Sequence, residues 1–263
     1  MHHYDHDAGG PPELLERKAD LRRRVWDALR TQGADRFPGA EGRIPNFTGA
    51  EDAAQRLRST DEWKRSSTLK ANPDSPQWPV RQRALEDGKV VYMAVPRLAE
   101  EDPFFLLDPE TLETSPRRAS SIKGAATAGR TLPVRELRPV DLVVVGCVAV
   151  SRSGARLGKG GGFSDLEYAV ATEAGLIATT TPVVTTVHPL QVLEEDEIPM
   201  TGHDVPLDLI VTPDEVIRVE GSPPRPRGII WGDLTEAKID AIPLLGRLWH
   251  CEGRPSSGRG TGR

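Results

Sequence analysis

The sequence predicts a single three-layer α/β domain, a mostly parallel sheet flanked by helices on both faces. Three observations carry this expectation. Short apolar runs alternate with helically spaced stretches, the order that produces parallel strands joined by right-handed crossovers. The run Asp141-Leu-Val-Val-Val-Gly-Cys-Val-Ala-Val150 is nearly continuous and β-branched, as a strand buried on both faces should be. A glycine-rich turn, Arg156-Leu-Gly-Lys-Gly-Gly-Gly-Phe-Ser-Asp165, then stands between that strand and a helical pattern.

Residues 1–12 are rich in Gly, Pro, His and Asp and read as a disordered tail in which His2, His3 and His6 lie close together. From Glu13 to Gln32, Leu14, Leu21, Val25, Ala28 and Leu29 recur at helical spacing, and Gly33 stops the run. A second helix starts after Thr48 and carries Ala53, Ala54 and Leu57; a third starts after Ser75, with Pro76 in its first turn and Gly88 at its end. Lys89 to Val95 is a strand. The proline- and charge-rich stretch from Pro96 to Pro139 reads as a long connection or a set of short edge strands. Past the glycine turn, Ser164 and Glu167 have capping-box spacing, and Leu166, Ala169, Val170 and Ala174 continue a helix as far as Gly175. Pro182 to Val187 and Leu207 to Val211 are strands, and Asp214 to Glu220 adds a short edge strand. The basic, glycine-rich residues 251–263 read as a second disordered tail, which leaves 13–250 as the folded domain.

At 263 residues the chain can bury one substantial core. The formal net charge of −5 gives no general attraction for nucleic acid or an anionic membrane. No apolar run approaches the ~20 residues needed to span a bilayer, and the N-terminus lacks a basic-then-apolar signal, so a cytoplasmic protein is expected. Two cysteines, Cys147 and Cys251, are too few for a disulfide framework or a structural zinc site.

The chemistry concentrates in the glycine turn. Gly158, Gly160, Gly161 and Gly162 permit positive φ and let N–H groups converge beside a helix N-terminus, an arrangement that attracts anions. Lys159 and Arg156 would neutralise phosphate oxygens, and Asp165 would ligate Mg²⁺. The spacing is not a Walker A loop, because Gly154 to Gly158 is one residue short and no Ser or Thr follows Lys159. Nor is it G-x-G-x-x-G, since Phe163 stands in place of the last glycine. On these residues alone, a phosphate cradle and a flexible turn with a helix-capping acid are equally good readings. Lys18 and Arg22 lie one helical turn apart on one face, where they would clamp a triphosphate or form a solvated basic face beside Arg17, Arg23 and Arg24. Asp204 would reach a metal shared with Asp165, or would form a turn ahead of Pro206.

Together these residues resemble the 5-formyltetrahydrofolate cyclo-ligase family, also called methenyltetrahydrofolate synthetases. The family's Lys-x-x-x-Arg helix is matched by Lys18 with Arg22. Its R-L-G-x-G-x-G-[YF]-x-D loop is matched by Arg156 through Asp165, and its P-x-x-x-x-D-x-x-x-D strand entry by Pro199 through Asp208. The resemblance spans roughly residues 13 to 220, a normal extent for one domain. Arg43-Ile-Pro-Asn-Phe47, Asp141 to Gly146, Gly160 to Tyr168 and Pro182-Val-Val-Thr-Thr-Val-His188 resemble more closely the branch that includes the methenyltetrahydrofolate synthetase domain-containing proteins. Some members of that branch append an RNA-recognition domain, whose aromatic RNP run is absent here.

The resemblance implies a cyclo-ligase-like, Rossmann-like domain that uses ATP and Mg²⁺ to close 5-formyltetrahydrofolate, a reduced folate, or a similar heterocycle. The product is 5,10-methenyltetrahydrofolate, with ADP and phosphate released. The alternative is a non-catalytic nucleotide- or folate-binding module that keeps the fold. The resemblance further implies Lys18 and Arg22 on the ATP phosphates, and the Gly158 to Gly162 backbone, Lys159 and Arg156 on the transferring phosphoryl group. Asp165 and Asp204 would hold Mg²⁺, and Phe163 would pack against the pterin or the nucleotide. Three departures stand out. The family's folate-contacting Glu, in an E-x-x-T-like segment, has no counterpart in Leu69-Lys-Ala-Asn-Pro-Asp-Ser-Pro-Gln77. The usual Tyr-Tyr-Asp is Phe163-Ser164-Asp165, and Leu166 replaces the common Arg.

Overall fold

A computed structural model describes residues 10–194 and 197–251. Of the two predicted tails, residues 1–9 and 252–263 lie outside the described residues, whereas Pro11 caps and Pro12 opens the first helix and Cys251 closes the last. In chain order the elements are α1 (Pro12–Thr31), α2 (Ala50–Arg58), α3 (Asp61–Arg65), β1 (Thr68–Ala71), α4 (Trp78–Glu86), β2 (Val90–Ala94) and β3 (Phe104–Leu107). Then come α5 (Pro116–Ala119), α6 (Ile122–Ala128), β4 (Arg130–Leu132), β5 (Leu142–Val144), β6 (Ala149–Ser151), β7 (Arg156–Leu157) and α7 (Phe163–Glu173). The chain continues through β8 (Val183–Thr186), β9 (Val192–Leu193), β10 (Leu209–Val211), β11 (Val216–Arg218), α8 (Glu236–Ala241) and α9 (Pro243–Cys251).

Eight strands form one sheet in the order β11-β10-β8-β5-β1-β2-β3-β4. The five inner strands from β10 to β2 pair in parallel, and the edges β11, β3 and β4 are antiparallel. Side chains alternate across it with the period of two that a strand imposes. Leu69, Ala71, Val91, Met93, Leu142, Val144, Val184, Leu209 and Val211 face one core with Leu57, Trp63, Val80, Leu85, Ala119 and Ala125 from α2 to α6. Val90, Tyr92, Val143, Val183 and Ile210 face the other, with Leu166, Tyr168 and Val170 of α7 and Ile239, Leu244 and Leu245 of α8 and α9. Helices on both faces make the three layers expected from the sequence.

Four local expectations are corrected. The run from Asp141 to Val150 is two strands: β5 ends at Val144, and the chain crosses into a separate sheet, β7-β6-β9, against which α1 packs Leu21, Val25 and Leu29. The crossing passes Gly146, where a Cβ would stand 2.9 Å from Asp74 Oδ2 and 3.0 Å from Gln77 Oε1. A strand with no sequence signal, β1, lies between β5 and β2 near the middle of the main sheet. The stretch from Pro96 to Pro139 holds edge strands β3 and β4 but also two short helices, α5 and α6. Finally, Ser164 and Glu167 form no capping box. Gly162, at φ 62°, is the N-cap of α7, and Ser164 turns inward to donate to Asn72 Oδ1 at 3.0 Å.

The chain leaves β1 through α4 to β2 on one side, and β5 occupies the other side. Helices α4 and α7 cover opposite faces. The carboxyl ends of β1 and β5 therefore bound a topological switch point, the crevice where ligands of open α/β sheets bind. Because Gly146 has no room for a Cβ, Gly146→Ala should destabilise the fold by about 1–3 kcal/mol through overpacking. Urea denaturation of the two proteins measures this as a lower midpoint at unchanged slope.

Candidate functional site

The glycine loop joins β7 to α7 at this crevice. Its ends are fastened by a buried ion pair between the Arg156 guanidinium and Asp165 Oδ1, which also accepts from Val205 N at 2.9 Å. Arg156 also donates to Gly146 O and Val205 O, each at 3.3 Å. Burial works against its charge, but Asp165 holds its pKa raised. Cys147, beside it, is buried, and burial pushes its thiol up to about 11, so it is an inert core group.

The two cations of α1 also turn inward. Lys18 Nζ donates to Asp204 Oδ2 at 2.7 Å, and Thr201 donates to the same oxygen through N and Oγ1, both at 2.7 Å. Burial pushes the Asp204 carboxyl up, yet Lys18 and Thr201 together hold it below its ordinary range. Arg22 Nε donates to Gly158 O at 2.8 Å. Lys18, Arg22, Arg156, Asp165 and Asp204, predicted as phosphate or metal ligands, are thus brought together around the loop but make their described contacts with protein groups. Asp165 meets its buried cation through Oδ1 and Asp204 through Oδ2, one oxygen of each carboxylate. No group of three or more His, Cys, Asp or Glu that could hold a metal occurs among the described residues.

The loop backbone and Lys159 are arranged differently. No backbone N–H from Gly158 to Asp165 donates to a protein acceptor among the described residues. Gly160, at φ 111°, and Gly162, at φ 62°, take positive-φ conformations that favour glycine just ahead of α7. The side chain of Lys159 is 47% exposed, its ammonium 3.8 Å from Asp74 Oδ1 across the crevice. Phe163 is half-buried, with Lys238 Nζ 5.1 Å from its ring centroid.

Opposite the loop stand residues that sequence reasoning missed. Asn72, at the end of β1, accepts from Gly146 N at 2.9 Å and donates to Glu167 Oε2, the same oxygen that Lys70 Nζ meets at 2.6 Å. Burial raises the Glu167 carboxyl above its usual range, against the pull of Lys70. The next residues, Pro73 and Asp74, are held by Arg81 of α4. Its guanidinium donates to Asn72 O at 2.5 Å, Asp74 O at 3.1 Å, Pro73 O at 3.3 Å and Ser120 O at 2.9 Å. Burial pushes Arg81 down to about 10. Gln77 is fully buried, and its Oε1 has no partner among the described residues; neither has Thr186 Oγ1 at the end of β8. Asp74 and Gln77 Oε1 are both acceptors, and both converge on Gly146. The polar Asn72-Pro-Asp-Ser-Pro-Gln77 stretch was the available signal, and it acquires meaning when β1 is placed before it.

Comparison with known proteins agrees with this architecture. The sequence model of the 5-formyltetrahydrofolate cyclo-ligase family matches residues 15–213. The methenyltetrahydrofolate synthase domain-containing protein of Bos taurus is 37% identical over 238 residues, covering 89% of this chain and 62% of that protein. The Homo sapiens protein of the same name is 36% identical over 234 residues, covering 88% and 61%. The chain thus spans less than two thirds of these relatives' length. A 5-formyltetrahydrofolate cyclo-ligase from Mycolicibacterium smegmatis is 39% identical over 84 residues, 31% of this chain and 38% of that protein. The solved structure of the Aquifex aeolicus 5,10-methenyltetrahydrofolate synthetase shares the fold, with a TM-score of 0.50 at 20% identity, covering 80% of this chain and 96% of that one.

Removing the carboxylate from Asp204→Asn leaves Lys18 buried without its counter-charge, which should cost about 3–5 kcal/mol near neutral pH. Because the folded-state pKa of Asp204 is lowered, its contribution is complete above the ordinary carboxylate value, near 4, and is lost as pH falls through the lowered folded value. Melting curves should show the gap between wild type and Asp204→Asn unchanged from neutral pH down to about pH 5 and narrowing as the pH falls further.

Proposed function

The chain belongs to the 5-formyltetrahydrofolate cyclo-ligase family, and from that premise we propose that it closes 5-formyltetrahydrofolate, or a similar N-formyl heterocycle, to its methenyl form with ATP. The observation that carries this proposal is the row of N–H groups from Gly158 to Asp165 with no protein acceptor among the described residues, beside the exposed Lys159 at the switch point. In this reaction the formyl oxygen bonds to the γ-phosphorus as the bond to ADP breaks. N10 then attacks the activated carbon, and the oxygen departs with phosphate. No side-chain nucleophile is required, so positioning and charge neutralisation supply the catalysis.

The roles divide across the crevice. The loop N–H groups and Lys159 receive the phosphates, with the dipole of α7 adding to their field. Arg22 and Arg156 act through the loop they hold, and Lys18 through Asp204, rather than as free clamps. Asp74 lies on the far wall, in the stretch that lacks the family's Glu, and offers an acceptor to N–H groups of the heterocycle. Phe163 offers a ring at the loop edge. The absence of that Glu also favours a second reading, a binding module that retains the pocket without turnover.

Purified protein mixed with Mg-ATP and 5-formyltetrahydrofolate should produce methenyltetrahydrofolate absorbance and ADP in equal amounts. ATP raising the melting temperature without either product would select the binding module, and no response to ATP at all would sink both. Lys159→Met should lower kcat/KM by about 10²-fold, as loss of one transition-state charge partner does. Its exposed position should keep apo stability within about 0.5 kcal/mol of wild type.

A further inference from the structure

The segment after β11 lies beyond the stretch matched by the family model, yet it returns to the loop. Trp231, Ile239, Ile242, Leu244 and Leu245 bury themselves in the core that includes Leu166 and Tyr168 of α7, and the Trp231 and Trp249 rings meet edge-on at 5.3 Å. From this base two polar ties reach the site. Lys238 Nζ donates to Gly161 O at 2.6 Å and sits over the Phe163 ring. Asp233 Oδ2 meets His203 Nδ1 at 2.8 Å; His203 Nε2 meets Thr201 Oγ1 at 3.1 Å, and Thr201 holds Asp204, the partner of Lys18.

A glycine loop has the most backbone freedom of any sequence, and ordering it around a ligand has a corresponding entropic cost. The first tie acts on that freedom. In a trans peptide C=O and N–H point in opposite directions, so fixing the Gly161 carbonyl on Lys238 fixes the Gly162 N–H on the other side of the loop. The ammonium over the Phe163 ring fixes the residue that follows the N-cap. We propose that Lys238 is a positioning residue that presets the Gly158–Asp165 loop for a phosphate-bearing ligand. The proposal rests on reading that loop as the nucleotide-phosphate site.

Two measurements on the full chain test it, with Lys238→Met, which keeps the stem and loses the donor, and Lys238→Arg, which keeps both the donor and the cation over the ring. In the first, ATP titration by calorimetry should show about tenfold weaker binding for Lys238→Met and near-wild-type binding for Lys238→Arg. In the second, made without ligand, NMR order parameters at Gly160, Gly161 and Gly162 should fall in Lys238→Met and recover in Lys238→Arg. Wild type that binds ATP, with Lys238→Met binding equally well, would overturn the proposal. So would loop order parameters identical in all three proteins, whatever their ATP binding. Wild type that binds no ATP would overturn the nucleotide reading itself and leave the ligand-free measurement to decide the role of Lys238.

Discussion

The buried pair of Arg156 with Asp165 sets the geometry on which the rest of the crevice depends. It bridges the two ends of the glycine loop, so the last strand of the small sheet and the first turn of α7 cannot separate. The same guanidinium binds Gly146 O and Val205 O, which fixes the chain as it leaves β5 and as it approaches β10. A buried ion pair of this kind adds little net stability, since desolvation offsets the Coulombic gain. What it fixes is position. Arginine suits the task because its planar fork reaches several acceptors at once, which a lysine at the same place could not do.

Around this pair the molecule concentrates charge that its overall composition hides. The chain is acidic as a whole, yet among the buried charges near the crevice Lys18, Arg22, Lys70, Arg81 and Arg156 outnumber Asp165, Glu167 and Asp204. A local surplus of cations behind a loop whose N–H groups have no protein acceptor among the described residues makes a field that favours an anion, and a low-dielectric surrounding strengthens it. The raised pKa of Glu167 has another cause, the loss of water. Its carboxylate is buried deeply enough that Lys70 does not fully offset the loss of water.

Much of this was legible in the sequence, and the failures have physical causes. The helix α1, the strands β2, β8, β10 and β11 and the strand-to-helix position of the glycine loop follow from periodicity and turn residues. Strand β1 does not, because its Thr-Leu-Lys-Ala carries a lysine whose burial is made possible by Glu167, almost a hundred positions away. The β-branched run from Asp141 to Val150 reads as one strand because nothing local reports that Gly146 must pack closely against Asp74, Gln77 and Ile44. Ser164 and Glu167 have capping-box spacing, but Asn72, distant in sequence, claims both side chains. The pattern likewise singled out Lys18, Arg22, Arg156, Asp165 and Asp204 as a group without disclosing that they are one another's partners or hold the loop.

That last point bears on how the site works. Arg22 on Gly158 O, Lys238 on Gly161 O and Arg81 on the carbonyls of Asn72, Pro73 and Asp74 all bind the backbone of segments that line the crevice. A cation bound to a carbonyl does not present its full charge to a ligand. It orients the peptide, polarises it, and so directs the opposite N–H, and that effect reaches the ligand as a fixed dipole. Fixed dipoles need no reorganisation when charge develops on a transferring group, whereas a mobile side chain in water does. The glycines make the peptides free to be oriented, and the buried cations do the orienting. Lys159, half-exposed and directed across the crevice, is then the mobile charge added to a preset backbone field.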